Sequence, residues 1–175
     1  MRIESDTLLI QRISKLARDP LRFADAADQL PHEIYDPVSE SVVADVEQAL
    51  GFPFPSLLRR LYTEVENGGF GPGGGIFGLE IGPIGIKDAH RDDNFLCLPE
   101  LYFGFREGVI EDESNWPEKV LPVWTIGCAM YDGIDCGLPD FPVLQMTGGS
   151  EPLTKTGIHF RDCTDTWATR MEAKQ

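Results

Sequence analysis

Three carboxylates and a thiol crowd one short stretch, "MYDGIDCGLPDF", in which Asp132, Asp135 and Asp140 flank Cys136. Carboxylates this close can hold a hard cation between their oxygens, or share protons so that one acts as acid and another as base. That chemistry would make the chain a metal-dependent hydrolase. The same residues also suit a plain hairpin, because Asp132 and Gly133 form the Asp-Gly pair that favours a tight loop, and turn carboxylates are ordinarily solvated. The turn is the expected structure, and no metal is expected there.

Thiol and imidazole chemistry is the next candidate. Cys128 or Cys136 could act as a nucleophile with His159 as its base, yet both cysteines lie in apolar strand patterns, where cysteine serves as a small buried hydrophobe. His32, His90 and His159 are far apart and form no H-E-x-x-H pattern, and Ser56 and Ser150 lack a G-x-S-x-G elbow. The four cysteines, Cys97, Cys128, Cys136 and Cys163, contain no C-x-x-C pair of the kind that clamps zinc or exchanges disulfides. They are expected as reduced thiols in a cytoplasmic protein. No catalytic residue, metal ligand or cofactor is assigned, and the chain is expected not to be an enzyme.

The segment "ENGGFGPGGG", Glu66 to Gly75, raises phosphate binding. It matches G-x-G-x-x-G twice, at Gly69, Gly71 and Gly74 and at Gly73, Gly75 and Gly78. Context opposes it both times. A nucleotide loop runs from a strand into the N-terminus of a helix, whereas this one leaves a helix, whose nearby end carries partial negative charge. No G-K-[ST] follows, and the next basic residue is Lys87. Phe70, Ile76, Phe77 and Leu79 among the glycines favour burial over a flexible linker. The expectation is a tight helix-to-sheet crossing, with Gly68, Gly69, Gly71, Gly73, Gly74 and Gly75 as structural turn residues.

The elements around these segments follow from periodicity. Leu9, Ile10, Ile13 and Leu16 share one helical face after Asp6, and Leu21, Ala24, Ala27 and Leu30 repeat the spacing before Pro31. Ser39 caps a third helix carrying Val42, Val43, Val46 and Leu50, with Gly51 at its stop. Pro55 opens a fourth, whose Leu57, Leu58, Leu61, Tyr62 and Val65 face the core. Beyond the glycines, "IFGLEI", "PIGI", "LPVWTI", "CAMYDGID", "FPVLQM" and "GIHF" read as short strands. Leu98, Leu101, Tyr102, Phe105 and Val109 predict one interrupting helix, and Trp167 with Met171 a short closing one. Helices first and strands afterwards predict an α+β fold with a mainly antiparallel sheet.

The stretch "LGFPFPSLLRRLYTEVENGGFGPGGGIFGL", Leu50 to Leu79, resembles the signature of the SMI1/KNR4 (SUKH) family: a proline bend, a helix, "NGG" and a glycine-rich turn into a strand. "WPEKVLPVWTIGCAMYDGIDC", Trp116 to Cys136, resembles a second family segment, with Ile126 where the family has Trp and Trp124 two positions earlier. Thr166 and Trp167 resemble its closing helix. The signature spans about 39–171, which leaves 1–38 as a helical N-terminal extension of a single 1–175 domain. The resemblance implies a SUKH-like α+β fold and a non-enzymatic protein-binding role. The bacterial form of that role is an immunity protein that neutralises a cognate toxin by direct contact; the alternative is a regulatory scaffold that binds an endogenous partner.

Charge and size agree with such a role. At 175 residues, with 42% apolar residues, ten Phe, four Tyr and three Trp, the chain can build one substantial core. A formal charge of -14 repels nucleic acid and acidic membranes and attracts a basic protein, including a nuclease toxin. No apolar run reaches a membrane span, and "MRIESDTLLI" places Glu4 and Asp6 where a signal peptide needs an apolar centre. The run "REGVIEDESNWPE" puts Glu111, Asp112 and Glu113 near Trp116. With Asp132 and Asp135 these are the candidate partner-binding residues, the carboxylates to accelerate encounter and Trp116 as an aromatic anchor or a core side chain.

Overall fold

The computed structural model describes residues 5–18, 35–80, 97–110, 116–127, 130–145 and 153–174. Helix α1 (Asp6–Ala17) starts where the Ser5 hydroxyl accepts the Leu8 N–H, and it buries Leu9, Ile10, Ile13 and Leu16 as the spacing predicts. The helix expected at Leu21 to Leu30 lies outside the described residues. Helix α2 (Glu40–Leu50) is capped by Ser39 and stopped by Gly51 in the left-handed conformation. Pro55 caps α3 (Ser56–Glu64), whose apolar face is fully buried. Arg59 joins the two helices, reaching Glu40 at 2.7 Å and Glu47 at 2.5 Å.

Helix α4 (Leu98–Arg106) is followed by four antiparallel strands in simple meander order, β1 (Val120–Gly127), β2 (Met130–Asp135), β3 (Pro142–Gln145) and β4 (Thr154–His159), and then by α5 (Phe160–Glu172). The α+β class with an antiparallel sheet is therefore as expected, and several boundaries are corrected. Val109 lies beyond α4 and is 77% exposed, so the helical spacing that seemed to include it ends at Phe105. The closing helix is long, at 13 residues, and takes Phe160 away from the strand "GIHF". Among the described residues of "IFGLEI" only Ile76 forms a ladder pair, as an isolated bridge to Trp124; Ile81 and "PIGI" lie outside the described residues.

Both sheet faces are covered over β1 and β2, whereas β4 is exposed along its length. Trp124, Asp132 and Gln145 are successive register partners and so share one face, where the Trp124 ring stacks on Phe160 of α5 at 6.3 Å. Tyr131, one residue from Asp132, turns to the other face and meets Phe105 of α4 edge-on at 5.0 Å and Phe77 at 6.3 Å. Helix α1 packs on α3 and α5 and thereby closes the core from the N-terminal side.

Candidate functional site

The glycine segment joins α3 to the edge of β1, and the amides of Gly68, Gly69, Gly74 and Gly75 are occupied by backbone carbonyls. Gly69 N–H donates to Ile76 at 2.8 Å, Ile76 N–H to Phe70 at 2.7 Å, Gly74 N–H to Thr125 at 2.8 Å and Phe77 N–H to Val123 at 2.9 Å. A phosphate cradle needs such N–H groups aimed at the ligand. Here they hold the chain to itself. Gly68, Gly69, Gly71, Gly73 and Gly75 have positive φ, and Gly74 does not. At Gly73 a Cβ would stand 2.5 Å from the Thr125 carbonyl oxygen, so the approach to β1 admits no side chain.

Two polar side chains that sequence reasoning did not single out secure this crossing. Asn67 is buried and its Oδ1 accepts the Leu79 N–H at 2.7 Å, while the Tyr62 hydroxyl donates to the Phe77 carbonyl at 2.6 Å. Asn67 stands in the quoted "ENGG", so an amide directly before paired glycines was the available signal. The helical spacing places the Tyr62 ring in the core but says nothing of its hydroxyl. Burial pushes its phenol well above the ordinary value, which keeps it a donor.

The carboxylate stretch does not form the expected turn. Asp132 and Gly133 lie inside β2, paired with Trp124 and Pro122 on β1 and with Gln145 and Leu144 on β3. The hairpin preference of Asp-Gly is overridden because Tyr131 and Ile134 pack into the core and hold the segment extended between two strands. The Asp132 Oδ2 accepts the Trp124 Nε1–H at 2.8 Å. The chain instead turns after β2, at 136–141, where Asp135 accepts the Gly137 N–H at 2.9 Å and Phe141 adopts φ 48. Asp140 is exposed, and its carbonyl accepts from His159 Nδ1 at 3.0 Å, which places the imidazole proton on that nitrogen.

Among the described residues no three His, Cys, Asp or Glu side chains converge to hold a metal ion. The described thiols are not activated. Burial pushes Cys136 up to about 12 and raises Cys97 and Cys163 as well, so each stays protonated near neutrality and is a poor nucleophile. Cys128 lies outside the described residues.

Of the expected partner contacts, Glu111, Asp112 and Glu113 lie outside the described residues. Asp135 is half-buried at the end of β2. Trp116 is buried at 6% exposure, stacked on Phe105 at 4.5 Å and donating Nε1–H to the Val120 carbonyl, so it occupies the core rather than a surface. Asp132 is buried at 8%. Among the described residues no helix is long and apolar enough to cross a membrane.

The glycine crossing and the first half of the sheet coincide with a comparison to known proteins. The model of the SMI1 / KNR4 family (SUKH-1) matches residues 37–143, more than half of the chain. No curated protein matches.

Proposed function

The chain belongs to the SMI1/KNR4 (SUKH-1) family, and on that premise we propose that it is a non-enzymatic protein-binding module, an immunity protein that neutralises a cognate bacterial toxin domain by direct contact. The family match carries this reading. Among the described residues those best suited to chemistry are largely occupied within the fold: the amides of Gly68, Gly69, Gly74 and Gly75 by carbonyls, one Asp132 oxygen by the Trp124 indole, and the thiols of Cys97, Cys136 and Cys163 by burial. A stable scaffold with little reactive chemistry is suited to presenting a surface.

The proposed surface is the acidic run Glu111, Asp112 and Glu113, with Asp135 beyond it in sequence. The charge of -14 supports a basic partner, because long-range attraction raises the encounter rate. A nuclease toxin, whose cleft is built to receive phosphates, is the class such carboxylates would block.

The test is recovery of the tagged protein from its own cells, mass spectrometry of what stays bound in moderate salt, and an activity assay of that partner with and without added protein. A single toxin domain, inhibited at stoichiometric addition, is the expected result. Recovery of cellular regulatory proteins with no toxin would replace the immunity reading with the scaffold one. A catalytic activity of the purified protein that depends on divalent cations would overturn both.

A further inference from the structure

Asp132 is a buried carboxylate for which a protein-binding role has no use. It stands in the interior of β2, 8% exposed, between Trp124 on β1 and Gln145 on β3. Oδ2 takes the indole hydrogen bond, while Oδ1 is buried with no hydrogen-bond partner among the described residues. Ionised, the group keeps Oδ1 desolvated, and its donors, the Trp124 indole and the Gln145 side chain, answer the charge only in part. Neutral, it buries only a hydroxyl and a carbonyl, at much lower cost. The element over this face is α5, whose Phe160 stacks on Trp124 and whose Cys163 lies close enough to feel the Asp132 charge.

We propose that Asp132 is a proton-operated catch between the sheet and α5, holding the helix more firmly when its carboxyl is neutral and loosening it when ionised. Burial pushes this carboxyl above the ordinary carboxylate range, and the Trp124 and Gln145 donors draw it partway back. The groups that face it are Trp124 from β1 and Gln145 from β3, which do not titrate, and Cys163 from α5, which burial and the Asp132 charge keep as a thiol. Asp162 and Arg170 act on Cys163 along α5 itself, in opposite senses. Because the folded value is raised, the contribution of this group to stability is complete below the unfolded value of about 3.9 and is lost as pH rises through the folded value. This inference does not depend on the identity of any partner.

The experiment is amide hydrogen exchange of the full chain from pH 4 to pH 7, corrected for intrinsic rates, on the wild type and on Asp132→Asn, together with a carbon-13 carboxyl titration of the wild type. Asparagine keeps an oxygen for the Trp124 hydrogen bond and carries no charge. In the wild type the opening constant of α5 should rise severalfold with pH over this range, because the folded carboxyl holds its proton more tightly than the unfolded one. The amides of α2 and α3 should change less, and Asp132→Asn should lose the rise in α5, keeping only the opposite trend that the Arg12–Glu172 pair contributes as pH falls. An Asp132 midpoint at or below about 3.9 would overturn the proposal, whether or not the variant folds. So would an α5 trend that is identical in both proteins, or one spread equally over α2 and α3.

Discussion

Gly73 and Gly51 separate two reasons for a glycine. Both have positive φ, 59° and 82°, but a Cβ at Gly73 would meet the Thr125 carbonyl at 2.5 Å, whereas at Gly51 nothing lies within 4 Å. Left-handed backbone costs an alanine about 1–2 kcal/mol, and Gly51→Ala should lose no more than that. Gly73→Ala must also push β1 away from the crossing, so a loss of about 3 kcal/mol or more is expected. Urea unfolding of the two variants checks this, and equal losses would mean that the crossing yields easily. Asn67 belongs to the same account: its amide gives a buried N–H an acceptor that no backbone group supplies, a task that residue type alone does not announce.

Helices α1 and α5 lie outside the matched segment and are fastened to each other. Arg12 of α1 engages both carboxylate oxygens of Glu172 at 2.9 and 2.8 Å and Asp165 at 2.8 Å, and Arg161 of α5 reaches Asp6 at 3.0 Å. The Arg12 hydrogen bonds hold Glu172 below its ordinary value. A lowered folded value means that this stabilisation is present above the unfolded pKa and is lost as pH falls through the folded one. Arg12→Ala should cost about 1 kcal/mol at neutral pH, the scale of a partly exposed ion network. The cost should shrink below pH 4, which thermal melts at pH 7 and pH 3 would reveal. A pH-independent difference would mean that Arg12 acts through the packing of its stem alone.

The whole molecule carries -14 charges, and the consequence lies in association rate rather than in fold. Raising the ionic strength from about 0.01 M to 0.15 M shortens the screening length from about 30 Å to 8 Å. Association with a basic partner should slow by roughly tenfold or more over that range, with dissociation little changed. Reversing Asp112 and Glu113 to Lys should lower the on-rate further at low salt, as stopped-flow or surface-based kinetics would register. An on-rate indifferent to both salt and reversal would remove the acidic run from the proposed surface.

Helices α1, α2 and α3, their caps at Ser39 and Gly51, and the crossing at Gly68 to Gly75 were legible along the chain. Each is governed by contacts three or four residues apart or by the backbone freedom of single residues. The family and the α+β class were legible for the same reason, as local motifs in a recognisable order. The fate of Asp132 was not. Asp-Gly favours a turn locally, and only the pairing of β2 with strands on both sides makes that segment extended and sets the carboxylate beneath α5. The burial of Trp116 against Phe105 and the end of the apolar face at Phe105 rather than Val109 are of the same kind. They depend on which distant surfaces meet, and hydrophobic spacing says that a side chain seeks burial without saying where burial is to be found.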